Sequence, residues 1–212
     1  MGGMLGLPKD NSQGLGAMTL WDPIMRQRQA AYPSELLVRF VARNYYAVPD
    51  RSRVKFLDIG SGGGANSWYL AHQGFDVTAL DSSISALASL KHRFEEEKFF
   101  RDKVTYLETD ICGYPLQENC YDCIIDHNSL CHVEKPPYFT IFDALKPKGK
   151  FFSVMPAYDT WPGTLEGKGF CRKPTMQQVF DMLKVFPRVE VRKAMYPDRS
   201  HNITSWVVEA ER

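Results

Sequence analysis

Residues 54–64 read Val-Lys-Phe-Leu-Asp-Ile-Gly-Ser-Gly-Gly-Gly, and no other stretch constrains the fold as much. A short apolar run of this kind suits a strand buried on both faces. An acid and a glycine-dense turn close it, and a helical pattern starts at Ala65. Strand, turn and helix in that order open a parallel α/β unit. Glycine suits the turn because it takes left-handed backbone angles and lets a ligand lie on the main chain. The N–H groups that begin the next helix then point at that ligand. A nucleotide-like cofactor is the first reading of the turn.

The glycine spacing alone does not select the cofactor. Gly60-x-Gly62-x-x-Ala65 fits the dinucleotide fingerprint in its alanine form, with Asp81 about 20 residues on as a ribose acid. Three neighbours tilt the choice. Asp58 stands before the turn, where a carboxylate can face a cation. A third strand ends in Glu108-Thr109-Asp110-Ile111, and a fourth in Asp126 followed by His127-Asn128-Ser129. Acids at four successive strand ends suit an ammonium, a ribose diol and an adenine amine. They suit a negatively charged pyrophosphate much less well.

On these residues the chain resembles a class I S-adenosylmethionine-dependent methyltransferase of the small-molecule type, over residues 53–212. The family's D-x-G-x-G-x-G motif is matched by Asp58-Ile59-Gly60-Ser61-Gly62-Gly63-Gly64. The acid closing strand two is matched at Asp81, that after strand three at Asp110-Ile111, and the fourth motif at residues 121–126. The later L-K-P-G-G turn is Leu145-Lys146-Pro147-Lys148-Gly149, with Lys148 in place of the first glycine. The resemblance implies a doubly wound, seven-stranded, mostly parallel sheet (the Rossmann-like methyltransferase fold) with an antiparallel last strand. It implies S-adenosylmethionine as cofactor and S-adenosylhomocysteine as product.

The chain-wide pattern agrees. Strands are expected near 54–59, 76–81, 103–107, 121–126, 149–155, 187–193 and 202–210. Helices are expected near 34–46, 65–73, 83–99, 137–146 and 174–185. The last two strands lack a helix between them; residues 196–200 read as a turn, so a hairpin closes the sheet. Residues 1–18 are glycine-rich and expected to be disordered. The resemblance implies one methyltransferase domain over residues 19–212, with an expected helical cap over 19–48 that includes a short helix at 21–32.

Composition points to an ordinary soluble enzyme. A chain of 212 residues, 44% hydrophobic and 24% charged, fits one domain with a substantial core. A net charge of +1 gives no reason to expect nucleic acid or an anionic membrane as partner. The first residues lack signal-peptide regions, and five cysteines do not suggest a disulfide framework, so a reducing cytoplasm is the expected setting. No metal is expected. Cys120-x-x-Cys123 has zinc-like spacing, but Cys123 falls inside the fourth strand. Lys135-Pro136-Pro137-Tyr138 comes too late after that strand for an amino-methylating loop and reads as a helix start. Glu95-Glu96-Glu97-Lys98 reads as a solvated helix face.

The resemblance and the chemistry assign a cofactor set of Asp58, Gly60, Ser61, Gly62, Asp81, Ser82, Asp110, Ile111, Asp126 and His127. Asp81 accepts both ribose hydroxyls, or else only caps the helix after it. Asp110 accepts the adenine amine beside the Ile111 N–H, or is only a turn residue. Asp126 faces the ligands, or is buried against backbone amides. His127, His132 and Tyr158 are candidate general bases, with His201 further away in sequence; both His127 and His132 also admit a structural reading. The acceptor, an unidentified small molecule, is expected to meet residues 21–32 and the irregular insert 157–173, which carries Tyr158, Trp161, Phe170, Arg172 and Lys173. Transfer to its oxygen or nitrogen is direct displacement. Two other functions stay open: a nicotinamide-dependent oxidoreductase, and an inactive protein that binds S-adenosyl ligands.

Overall fold

The computed structural model describes residues 31–98, 104–162, 169–198 and 201–212. The expected disordered segment 1–18 and nearly all of the expected helix at 21–32 lie outside them. The described part of the expected cap is α1, Glu35–Tyr45. Its Leu37, Phe40, Val41 and Tyr45 recur at helical spacing and are buried.

Strand–helix alternation then runs through β1 (Lys55–Ile59), α2 (Ala65–His72), β2 (Asp76–Asp81), α3 (Ile84–Glu97), β3 (Val104–Glu108) and β4 (Tyr121–His127). It continues with α4 (Tyr138–Ala144), β5 (Leu145–Pro156) and α5 (Met176–Met182), and a hairpin of β6 (Arg188–Asp198) and β7 (His201–Glu211) closes it. The sheet order is β3-β2-β1-β4-β5-β7-β6. β1 to β5 pair in parallel, and β7 is antiparallel to both β5 and β6. This is the expected doubly wound, seven-stranded sheet with its antiparallel last strand.

The apolar strand runs explain the two layers of helices. Successive side chains of a strand leave opposite faces. Phe56, Cys123, Ile125 and Phe152 enter one core with Leu37 and Phe40 of α1, Leu70 of α2 and Leu90 of α3. Their neighbours Leu57, Ile124 and Phe151 enter the other, with Ile141 of α4 and Val179 of α5. A sheet apolar on both sides must be covered on both sides.

Three boundaries differ from expectation. β5 starts at Leu145 because Leu145 pairs with Tyr121; the register then shifts, and Lys150 pairs with Cys123. Lys148 lies in that irregularity at φ +65°, the left-handed conformation that the family's glycine would adopt with less strain. β6 runs on to Asp198, where a turn was expected: Tyr196, Pro197 and Asp198 pair with Ile203, Asn202 and His201. α5 ends at Met182, shorter than expected. Glu95, Glu96, Glu97 and Lys98 form the expected exposed face, where the Trp68 Nε1–H donates to the Glu97 carboxylate at 2.8 Å and the His72 Nε2 lies 2.8 Å from it. That contact ties α2 to α3.

Candidate active site at the switch point

The strand order reverses between β1 and β4, so ligands of such a sheet sit beyond the carboxyl ends of these two strands. Ile59 pairs with Leu80 on one side and Asp126 on the other. Gly60, Asp81 and His127 therefore leave three adjacent strands at one level.

The glycine turn is built by backbone conformation. Gly60, Gly62 and Gly64 have φ of +62°, +53° and +77°. At Gly60 a Cβ would also stand 1.9 Å from Ser129 Oγ and 2.4 Å from Ser129 Cβ. No side chain fits there, because the turn after β4 rests directly on the turn after β1. The Ser61 N–H donates to the Leu80 carbonyl at 3.0 Å. Its hydroxyl oxygen is buried and, among the described residues, has no hydrogen-bond partner.

Asp81 joins this turn to the next. One carboxylate oxygen accepts the Gly62 N–H and the other the Ser83 N–H, both at 2.8 Å. Capping of α3 falls to Ser83, whose hydroxyl accepts the Ala86 N–H at 3.2 Å. Ser82 is partly exposed in the same turn. Asp110 is exposed; its Oδ1 accepts the Cys112 N–H at 2.9 Å, and Ile111 beside it is buried.

Asp58 and Asp126 are buried acids. The Ser67 hydroxyl of α2 donates to Asp58 at 2.6 Å. Burial pushes the Asp58 carboxyl up to about 7 against that bond, and the charges of Asp81 and Asp126 add to the rise. Asp126 Oδ1 accepts the Ser129 and Leu130 N–H groups at 3.0 and 2.9 Å, and Oδ2 accepts the Ser153 hydroxyl at 2.7 Å. Its carboxyl is pushed up to about 6 by burial, with those bonds opposing. The bonds of Asp126 thus go to the turn after β4. The Asp126–Ser129 bond is local, a side chain accepting a backbone N–H three residues on. Ser67 and Ser153 carry no local sequence signal, since each meets its acid only in the fold.

The candidate bases separate. His127 ends β4 with its pKa lowered by burial, so the ring favours the neutral form. The His132 Nδ1 lies 2.7 Å from the Phe170 carbonyl. Tyr158 sits on the β7 side of the rim, its ring 6.5 Å from Trp206 and under the Lys193 ammonium at 5.4 Å. His201 packs edge-on against Trp161. Of the insert, residues 163–168 lie outside the described residues.

Residues 57–153 match the profile of a family described as a methyltransferase domain. The mitochondrial ubiquinone biosynthesis O-methyltransferase of Schizosaccharomyces pombe is 32% identical over 98 residues, which are 45% of this chain and 35% of that protein. A probable S-adenosyl-L-methionine-dependent methyltransferase, TehB of Haemophilus influenzae, is 39% identical over 74 residues, 35% of this chain and 24% of that one. The chain thus spans about a third of the length of the curated relatives it matches. Among solved structures, the Burkholderia thailandensis 1,6-didemethyltoxoflavin-N1-methyltransferase superposes with a TM-score of 0.67 at 17% identity, covering 98% of this chain and 93% of that one. That likeness shows the fold. Motif order, sheet order and matched profile agree: residues 57–153 match a methyltransferase domain set in a Rossmann-like methyltransferase fold.

Proposed function

We propose that this chain transfers a methyl group from S-adenosylmethionine to an oxygen or nitrogen of a small molecule, releasing S-adenosylhomocysteine. The observation that carries the proposal is the set of acids around the glycine turn. Burial raises the Asp58 carboxyl most, and the charges of Asp81 and Asp126 add to the rise, so the three acids gather in one acidic region. Such a region favours a cationic ligand and disfavours a pyrophosphate.

The residues present fit the cofactor. The left-handed glycines keep side chains out of the turn. The buried Ser61 hydroxyl has hydrogen-bonding capacity that no described residue uses. Asp81 is oriented by two N–H groups at the end of β2, where a carboxylate would meet a ribose diol. Asp110 and Ile111 would take the adenine, while Asp58 ties β1 to α2 and Asp126 holds the turn after β4. S-adenosylmethionine supplies a methyl group already activated on a sulfonium. What remains for the protein is to align the acceptor and exclude water. His127, kept neutral by burial, is able to take a proton from an acceptor that still carries one; His132 and Tyr158 are the other candidates. The O-methyltransferase and N-methyltransferase names of the relatives support an acceptor of that kind. A reducing cytoplasm as setting is supported by five cysteines with no disulfide among them. Among the described residues no helix is long and apolar enough to cross a membrane.

Calorimetric titration tests the reading. S-adenosylmethionine and S-adenosylhomocysteine should bind and NAD should not. Asp81→Ala should weaken both S-adenosyl ligands about 10- to 100-fold, the loss of charge-assisted hydrogen bonds worth about 1.5–3 kcal/mol. Circular dichroism checks that the variant is folded. Absence of S-adenosyl binding, or an unchanged affinity in a folded Asp81→Ala, overturns the proposal.

A further inference from the structure

Cys131 and His132 follow the turn after β4; Cys171 comes about 40 residues later, in the insert beyond β5. The fold brings the three together. Their two Sγ atoms and a ring nitrogen of His132 all lie within 4.8 Å of one another. A tetrahedral ion with metal–sulfur distances near 2.3 Å and metal–nitrogen distances near 2.0–2.1 Å needs ligand separations of roughly 3.4–3.8 Å. Closing the remaining gap takes about 1 Å of side-chain movement.

The two ligand-bearing segments are fixed to each other by bonds that do not involve the sulfur atoms. The Arg172 N–H donates to the Cys131 carbonyl at 2.7 Å, and the Arg172 guanidinium donates to the carbonyls of Val133 and Glu134. His132 is oriented by its own contact. A carbonyl only accepts, so in the 2.7 Å contact with Phe170 the His132 Nδ1–H is the donor. A ring held in one tautomer by a backbone carbonyl is the usual support of a metal-binding histidine. Cys131 is buried, whereas His132 and Cys171 are partly exposed, so an ion can reach the cluster from outside.

We propose that Cys131, His132 and Cys171 form a three-ligand site for a thiophilic divalent cation, with zinc as the fitting ion. Two sulfurs and one imidazole nitrogen select a soft or borderline ion over magnesium or calcium. Three protein ligands leave the fourth tetrahedral position to water or to another ligand. On binding, each thiol releases its proton to solvent and two metal–thiolate bonds form; no electron is transferred. Because both thiols must lose a proton to bind, affinity should climb as pH rises. The proposal departs from the expectation that the chain holds no metal, which weighed Cys120-x-x-Cys123 with Cys112 and Cys131 nearby but not Cys171. It does not rest on methyl transfer.

The test uses the full chain, purified under reductant without chelator, loaded with zinc and freed of excess. About one zinc per chain should remain by elemental analysis. Cobalt(II) in its place should give a thiolate-to-metal charge-transfer band. Cys171→Ser and His132→Gln should each lower zinc affinity at least tenfold, and Cys131→Ser should do the same. Cys112→Ser, at an exposed cysteine outside the cluster, should retain the full content. Circular dichroism of each variant separates loss of ligand from loss of fold. If buried Cys131→Ser unfolds, the two partly exposed positions carry the test. Substoichiometric zinc in the wild type, full retention by folded Cys171→Ser, or equal loss in Cys112→Ser overturns the proposal.

Discussion

Asp58 is a carboxylate that the fold holds where it ionises with difficulty. Its folded pKa of about 7 lies above the ordinary value of 3.8. Below pH 4 the acid is protonated in folded and unfolded chains alike. Between pH 4 and 7 the unfolded chain ionises while the folded one keeps its proton, so stability falls as pH rises. Asp126 adds to the same fall, between 3.8 and about 6. Asp58→Asn removes the larger part and can keep the bond with Ser67. Its denaturation midpoint should therefore drop less than that of the wild type between pH 5 and pH 7.5; equal drops would refute the burial argument. Asp58, Gly60, Asp81 and Asp110 were legible because chain order alone puts an acid or a glycine at each strand end. Their serine partners were not. Ser67 reaches Asp58 from a helix, Ser153 reaches Asp126 from the next strand, and Ser129 limits Gly60 from the turn after β4.

The elements were legible where burial dictates the pattern and blurred where pairing does. Continuous apolar runs gave β1, β2 and β4 closely, since both faces of these strands are covered. The start of β5 depends on a register shift opposite β4, and the end of β6 on its partner β7. Neither is encoded in its own segment. α1 was legible from its apolar face, and its role follows from what that face meets. The Phe40 ring stacks on Phe152 at 4.6 Å and meets Tyr45 edge-on at 6.1 Å. The Ser34 N–H also donates to Asn66 of α2 at 3.0 Å. α1 is thus a wall of the core. Phe40→Ala should cost about 3–5 kcal/mol in urea unfolding, as other buried aromatic truncations do. A loss below 1 kcal/mol would mean that α1 packs only loosely.

At the scale of the molecule, the sheet order decides what is near what. It places the acids of β1, β2 and β4 on one rim, which the motif order already implied. It also brings Cys171 to Cys131, which no local pattern could show, because the two meet only after β5 and the insert have folded back. β7 lies between β5 and β6, with Trp206, Val207 and Val208 buried. Removing 201–212 opens the β5 edge and detaches β6. The shortened chain should lose its cooperative unfolding transition and bind apolar dyes; a chain that still melts cooperatively would show that β7 is dispensable.

That insertion also sets a timetable for synthesis. β5 leaves the ribosome with one edge unpaired, and its partner follows about 45 residues later. At roughly 5–20 residues per second the wait is about 2–9 s. Throughout it, a strand with Phe151, Phe152 and Val154 in its sequence offers a free row of backbone donors and acceptors. A nascent chain of this protein therefore passes through a form open to pairing with other chains, and any factor that shields strand edges during translation acts on it in that interval.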